Sequence, residues 1–192
     1  MRNYVIAALF AATFATPAFA QEAPQSGFRI EGVVGYDRPS ISNEHANGAT
    51  YGVGVGYDVR SGRALFGIEG EATDSSADRC ASDVTVVGDR LCVNAGRDLY
   101  VGGRVGAQVA PRVLLYAKAG YTNARVGANY DDGTAATTAD FATHRTLDGV
   151  RGGAGVEVGI GRNAYVKTEY RYSNYQDGVD RSQVVAGFGL RF

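Results

Sequence analysis

His45 and His144 are the only histidines in this chain, and either could act as a general base only beside a positioned nucleophile and an orienting carboxylate. Ser42, Glu44 and Asp140 lie nearby in sequence. Such residues fill any polar segment, and their spacing singles out no triad. Gly152-Gly153-Ala154-Gly155 and the Gly52/Gly54/Gly56 run superficially match phosphate-cradling loops. The dinucleotide fingerprint needs a helix after its glycines. No helical pattern follows either run, so both read as strand glycines. Asp131-Asp132-Gly133 lacks the repeated spacing of a calcium loop and reads as a turn. The sequence therefore gives no catalytic, cofactor-binding or metal-ligating residues, and a non-enzyme without cofactor is expected.

Cys80 and Cys92 are the only cysteines. Their chemistry depends on the compartment, and the first residues address that. Arg2 supplies a positive charge, Val5 to Phe14 form a short apolar stretch, and Ala18-Phe19-Ala20 is a small-x-small cleavage site. The stretch falls short of the roughly 20 apolar residues of a membrane-spanning helix. Residues 1–20 thus read as an export signal, and 21–192 as one mature domain beginning near Gln21. In an oxidising periplasm the two thiols are expected to form a disulfide. A metal site is disfavoured because two sulfurs without a nearby His do not complete a tetrahedral shell.

The remaining chemistry lies in charged residues that recur at every second position. Arg29, Glu31, Glu69, Glu71, Arg104, Lys118, Arg151, Glu157, Lys167, Glu169, Arg171 and Arg191 all sit opposite apolar neighbours. Period-two alternation is the signature of strands. Phe28, Ile30, Val34 and Tyr36 face away from Arg29, Glu31 and Asp37; Tyr51, Val53, Val55, Tyr57 and Val59 face away from Thr50, Gly52, Gly54, Gly56 and Asp58. Further strands carry Ala64 to Ile68, Leu99 to Val109, Val113 to Tyr121, Val150 to Ile160, Val166 to Tyr172 and Val184 to Phe192. The count is eight. Gly 27, Tyr 12 and Phe 8 with Pro 4 and no Trp suit such ribbons better than helices.

Polar loops are expected at Pro39 to Gly48, across the cysteine segment, at about Gly127 to Arg145 and at Asn174 to Arg181. Ser61-Gly62, Ala110-Pro111-Arg112 and Gly161-Arg162-Asn163 are tight turns. Long and short connections alternate, so all long loops leave one end, which is the outer-membrane pattern of long extracellular loops and short periplasmic turns. No apolar stretch after residue 20 is long enough for a membrane helix, and among strand proteins only a closed barrel satisfies its backbone in hydrocarbon.

Alternation alone leaves two barrels open: a secreted, lipocalin-like one with its apolar face inside around a ligand, and a transmembrane one with that face in lipid. Three features favour the second. The apolar face carries no charge, as lipid contact requires when Arg or Lys at the midplane costs roughly 2–4 kcal/mol. Tyr36, Tyr51, Tyr57, Tyr121, Tyr170 and Tyr172 lie near strand ends, where interfacial aromatic girdles form. The opposite face mixes cations with carboxylates, and a lumen only wide enough for side chains must pair them. The interior is expected to be a compensated ion-pair plug. With a net charge of −1, nucleic acid is not an expected partner.

At Tyr51-Gly52-Val53-Gly54-Val55-Gly56-Tyr57, Leu115-Tyr116-Ala117-Lys118-Ala119-Gly120-Tyr121 and Tyr165-Val166-Lys167-Thr168-Glu169-Tyr170-Arg171-Tyr172, the chain resembles the small outer-membrane β-barrel, or opacity-type porin, family of Proteobacteria. The closing Gly189-Leu190-Arg191-Phe192 is similar to the terminal strand ending in Phe that the barrel-assembly machinery reads in that class. The resemblance implies an eight-stranded antiparallel up-and-down barrel in the outer membrane, in contact with lipid and lipopolysaccharide. It also implies structural, surface-antigen or adhesive roles through loops that meet an extracellular ligand or host surface. The fold also hosts lipid- and peptide-hydrolysing enzymes, which keeps a barrel enzyme as the second reading.

Overall fold

The computed structural model describes residues 26–41, 44–45, 47–76, 78–82, 90–131 and 141–192. The expected leader at 1–20 and the Asp132-Gly133 part of the acidic turn lie outside them. The described chain is almost all strand: β1 (Gly27–Ile41), β2 (Glu44–His45), β3 (Gly48–Ser61), β4 (Ala64–Ser75), β5 (Asp78–Ser82), β6 (Arg90–Ala110), β7 (Val113–Asp131), β8 (Phe141–Ile160), β9 (Ala164–Tyr175) and β10 (Val179–Arg191). Eight of these follow one another in the antiparallel order β10-β9-β8-β7-β6-β4-β3-β1, and β1 pairs back onto β10 from Arg29↔Arg191 to Ile41↔Val179. The sheet is a closed barrel without a free edge, the arrangement hydrocarbon demands. β2 and β5 are short additions that pair with β1 and β6 beyond the circle.

The alternation read from the sequence sets the register. Val53, Val55, Val101, Val105, Val150 and Phe188 are each more than half exposed, while Arg29, Arg104, Arg151, Arg171 and Glu169 are at most 2% exposed. These apolar side chains point out and these charged ones point in, which rules out the lipocalin-like arrangement. The tyrosines Tyr36, Tyr51, Tyr57, Tyr121, Tyr170 and Tyr172 all stand on the outer face. Near the tight-turn end, Phe28 and Tyr57 meet edge to face at 4.9 Å.

Turns at 62–63, 111–112 and 161–163 are as tight as expected, with Gly62 and Gly161 at positive φ, where a side chain would strain the backbone. The other end differs from the sequence reading. β7 runs to Asp131 and β8 begins at Phe141, so most of the expected 127–145 loop is a continued hairpin. β6 begins at Arg90, nine residues before Leu99. β1 continues through Pro39 to Ile41, and Asn174–Arg181 contains only a single helical turn at Gln176–Gly178. The cause is solvent. Past the membrane boundary both faces of a hairpin touch water, so the strands persist while their apolar alternation fades.

Candidate functional site

The lumen is the chemically distinctive part of the molecule. Among the described residues it buries eight cationic side chains, Arg29, Arg104, Lys118, Arg151, Lys167, Arg171, Arg181 and Arg191, and eight carboxylates, Glu31, Asp37, Asp58, Glu69, Glu71, Asp98, Glu157 and Glu169. The numbers match, so the interior is neutral in the ionised state. Burying each charge costs several kcal/mol unless a partner and hydrogen bonds repay it.

The pairing divides into two groups. The larger lies towards the tight turns. Lys118 Nζ is 2.8 Å from a carboxylate oxygen of each of Glu69, Glu71 and Glu169. Lys167 donates to Glu31 at 2.5 Å, and Arg171 reaches both Glu71 and Glu169. Arg29 pairs with Glu31 at 2.9 Å and with Glu69, and lies 3.5 Å from Asp58. Arg104 Nε donates to Asp58 at 2.9 Å, while Arg191 spans Asp58 and Glu157. Tyr116 and Tyr165 donate to Glu169 and Glu31 at 2.6 and 2.7 Å. All twelve charged residues singled out in the sequence occur here except Arg151, and Asp58 joins them.

The smaller group lies towards the long connections, with Asp98 at its centre. Arg151 and Arg181 both pair with it, the latter at 2.9 Å, Thr122 donates to it at 2.7 Å, and Tyr175 donates at 3.1 Å. Arg181 Nε also donates to Asp37 at 2.8 Å. Four strands thus converge on one carboxylate of a fifth. This hub is not visible in the sequence pattern, which places Arg181 in a polar loop and Asp98 in the cysteine segment. The usable signal was parity: Asp98 and Arg181 lie at even spacing from Arg104 and Arg191.

Among the described residues no ion pair joins the two groups, and the strands show why. Between Glu31 and Asp37 the inward position 33 is valine; between Arg104 and Asp98 it is Tyr100; between Arg191 and Arg181 it is Val185 with Gln183. The Tyr100 ring lies against both sides, 4.7 Å from Lys118 Nζ and 5.5 Å from Arg151 Cζ. Apolar residues also close both ends. Leu65 and Leu114 are buried beside the tight turns, and Ala124, Leu147 and Tyr175 form a cluster with Val126 and Val179 at the other mouth. Inward glycines leave room for the long side chains. A Cβ at Gly56 would stand 2.8 Å from Arg29 Nε, and one at Gly189 2.3 Å from the Tyr165 ring.

The two cysteines oppose each other across β5 and β6 and form a disulfide in the hairpin beyond the barrel. Phe192 is exposed at the closing seam, where its backbone N–H donates to the Phe28 carbonyl at 2.9 Å. The backbones of His45 and His144 belong to β2 and β8, but their side chains, and Ser42 and Asp140, lie outside the described residues.

A family model described as outer membrane protein beta-barrel domain matches residues 6–192. The chain is 29% identical over 197 residues to a 22 kDa outer membrane protein of Rhizobium leguminosarum bv. viciae, covering 90% of this chain and 83% of that one. It is 27% identical over 141 residues to a 25 kDa outer-membrane immunogenic protein of Brucella ovis, covering 73% of this chain and 62% of the relative. Among solved structures it is similar in fold to Ail, the attachment invasion locus protein of Yersinia pestis, solved with the heparin analogue sucrose octasulfate: TM-score 0.60, 16% identity, 88% of this chain and 99% of that one. Neisserial surface protein A matches at TM-score 0.57 and 19% identity, over 87% and 98% of the two chains.

Proposed function

We infer, from the premise that this chain belongs to the outer membrane protein beta-barrel domain family and resides in the Gram-negative outer membrane, that it works there as a closed, non-enzymatic barrel presenting loops to the outside. The observation that carries this reading is the neutral ion-paired lumen between two apolar closures. A solute crossing it would have to displace Leu65 and Leu114, separate salt bridges that leave buried charges unpaired, and pass the Val33, Val185 and Tyr100 waist. Each unpaired buried charge costs about 3–5 kcal/mol.

With the lumen closed, the chemistry available to partners is on the long-connection end and the outer face. The disulfide-braced β5–β6 hairpin and the extended β7–β8 hairpin stand beyond the apolar band, placed to serve as surface antigen or adhesive contact. The name of the Brucella relative, an immunogenic protein, fits that role. In the same reading residues 1–20 are removed on export and Phe192 is the mark read by the assembly machinery. The experiment is conductance in planar bilayers. The purified barrel is expected to leave the baseline unchanged, and a stable open channel would reject the closed-lumen reading.

A further inference from the structure

Every charged group in the lumen is compensated, and that makes two cations on the outer wall stand out. Arg97 of β6 and Arg125 of β7 are both exposed, and among the described residues neither side chain has an ion-pair or hydrogen-bond partner. They are neighbours. Ala95 pairs with Val126 and Asp98 with Ala124, so Gly96 and Arg97 together oppose Arg125 across a β-bulge. Bulges re-aim side chains. Here the extra residue keeps Asp98 turned into the lumen, buried, while Arg97 faces out beside Arg125.

Two like charges side by side on a sheet repel and are destabilising. A doubly basic spot without a carboxylate partner is therefore built for an anion from elsewhere. Its height on the barrel says which. Arg97 lies two residues beyond Leu99, which is exposed in the apolar band, and Arg125 four residues beyond the girdle residue Tyr121. At about 3.3 Å per residue this is the headgroup level. The same face carries a polar shelf one row below. Asn123 pairs with Asp148, whose carboxylate accepts hydrogen bonds from the Asn123 amide at 2.6 Å and from the Tyr121 hydroxyl. Thr146 pairs directly with Arg125. Leu99 stands in the shelf's own row, opposite Asn123, and beneath lie Val101, the Tyr121 ring and Val150, all exposed, where acyl chains pack.

We propose that Arg97 and Arg125 form a seat for the phosphate of an outer-leaflet glycolipid, with Thr146 and the Tyr121–Asn123–Asp148 shelf facing its sugars and the wall below facing its acyl chains. Guanidinium groups suit phosphate because their fork of donors matches its oxygens. The proposal rests on the outward orientation of the long connections given above. Arg162, exposed in a tight turn at the opposite end, supplies the control charge.

The test places the mature chain in zwitterionic nanodiscs and titrates, by native mass spectrometry, a bis-phosphorylated acylated diglucosamine, its phosphatase-treated form, and phosphatidylglycerol. R97Q/R125Q is expected to bind the phosphorylated glycolipid roughly thirtyfold more weakly, about fivefold per arginine, with R162Q unchanged. The wild type should prefer the phosphorylated form, which holds the claim open to disproof even if the double variant fails to fold. Equal binding of the phosphorylated and phosphatase-treated forms by the wild type, equal losses in R97Q/R125Q and R162Q, or equal affinity for phosphatidylglycerol would overturn it. Heat-modifiable migration of each variant and protease access to the 80–92 hairpin on intact cells report closure and orientation separately.

Discussion

Asp98 is the residue on which the smaller charge group turns. Removing its carboxylate strands Arg151 and Arg181 without their shared acceptor, although Arg181 keeps Asp37. A buried ion left unpaired costs far more than a surface pair contributes. Asp98→Ala is expected to lower unfolding stability by about 3–5 kcal/mol, measured by urea titration in lipid vesicles. Asp74→Ala, on the exposed face of β4, should stay within about 0.5 kcal/mol. The outer wall carries the opposite sensitivity. Val105→Arg places a charge between Phe66 and Ala117 on the lipid face and should cost about 2–4 kcal/mol. Val105→Ile should be nearly neutral.

At the scale of elements, each strand is a two-sided object whose register cannot slip by one residue without driving arginines into lipid. That is why, although the side of Tyr51–Val59 that faces out needed the uncharged apolar face, the tyrosines and the mixed charges opposite as well, the membrane-spanning part of every strand was legible from period two. The parts beyond the membrane were not. In 90–98 and 141–149 no hydrocarbon enforces the alternation, so the sequence there reads as loop while hydrogen bonding to β7 keeps it as strand. The partners of the interior charges were equally hidden, because which carboxylate meets which cation depends on strand tilt and on contacts across the lumen. Parity gave the candidate set without its connections. The Cys80–Cys92 link belongs to the extramembrane hairpin, closing a sequence separation of 12. Its reduction is expected to raise protease cleavage between 76 and 94 while the barrel keeps its heat-modifiable gel shift. Loss of the shift on reduction would mean the hairpin supports barrel closure.

The whole molecule inverts a soluble protein, with ions at its centre and valine, leucine and tyrosine outside. The inversion is stable only because solvent differs by direction: lipid around the wall, and within the lumen a set of fixed charges that solvate one another. Neutrality holds within each of the two lumen groups. The larger has Arg29, Arg104, Lys118, Lys167, Arg171 and Arg191 against Glu31, Asp58, Glu69, Glu71, Glu157 and Glu169; the smaller has Arg151 and Arg181 against Asp37 and Asp98. Each can therefore form without borrowing charge across the Tyr100 waist. All of this depends on which face meets hydrocarbon, and photolabelling from acyl chains measures that directly. With diazirine-bearing phospholipids in vesicles, crosslinks are predicted at Val105, Val166 and Phe188 and none at Arg104, Lys167 or Glu157. Labelling of the second set in preference to the first would contradict the account.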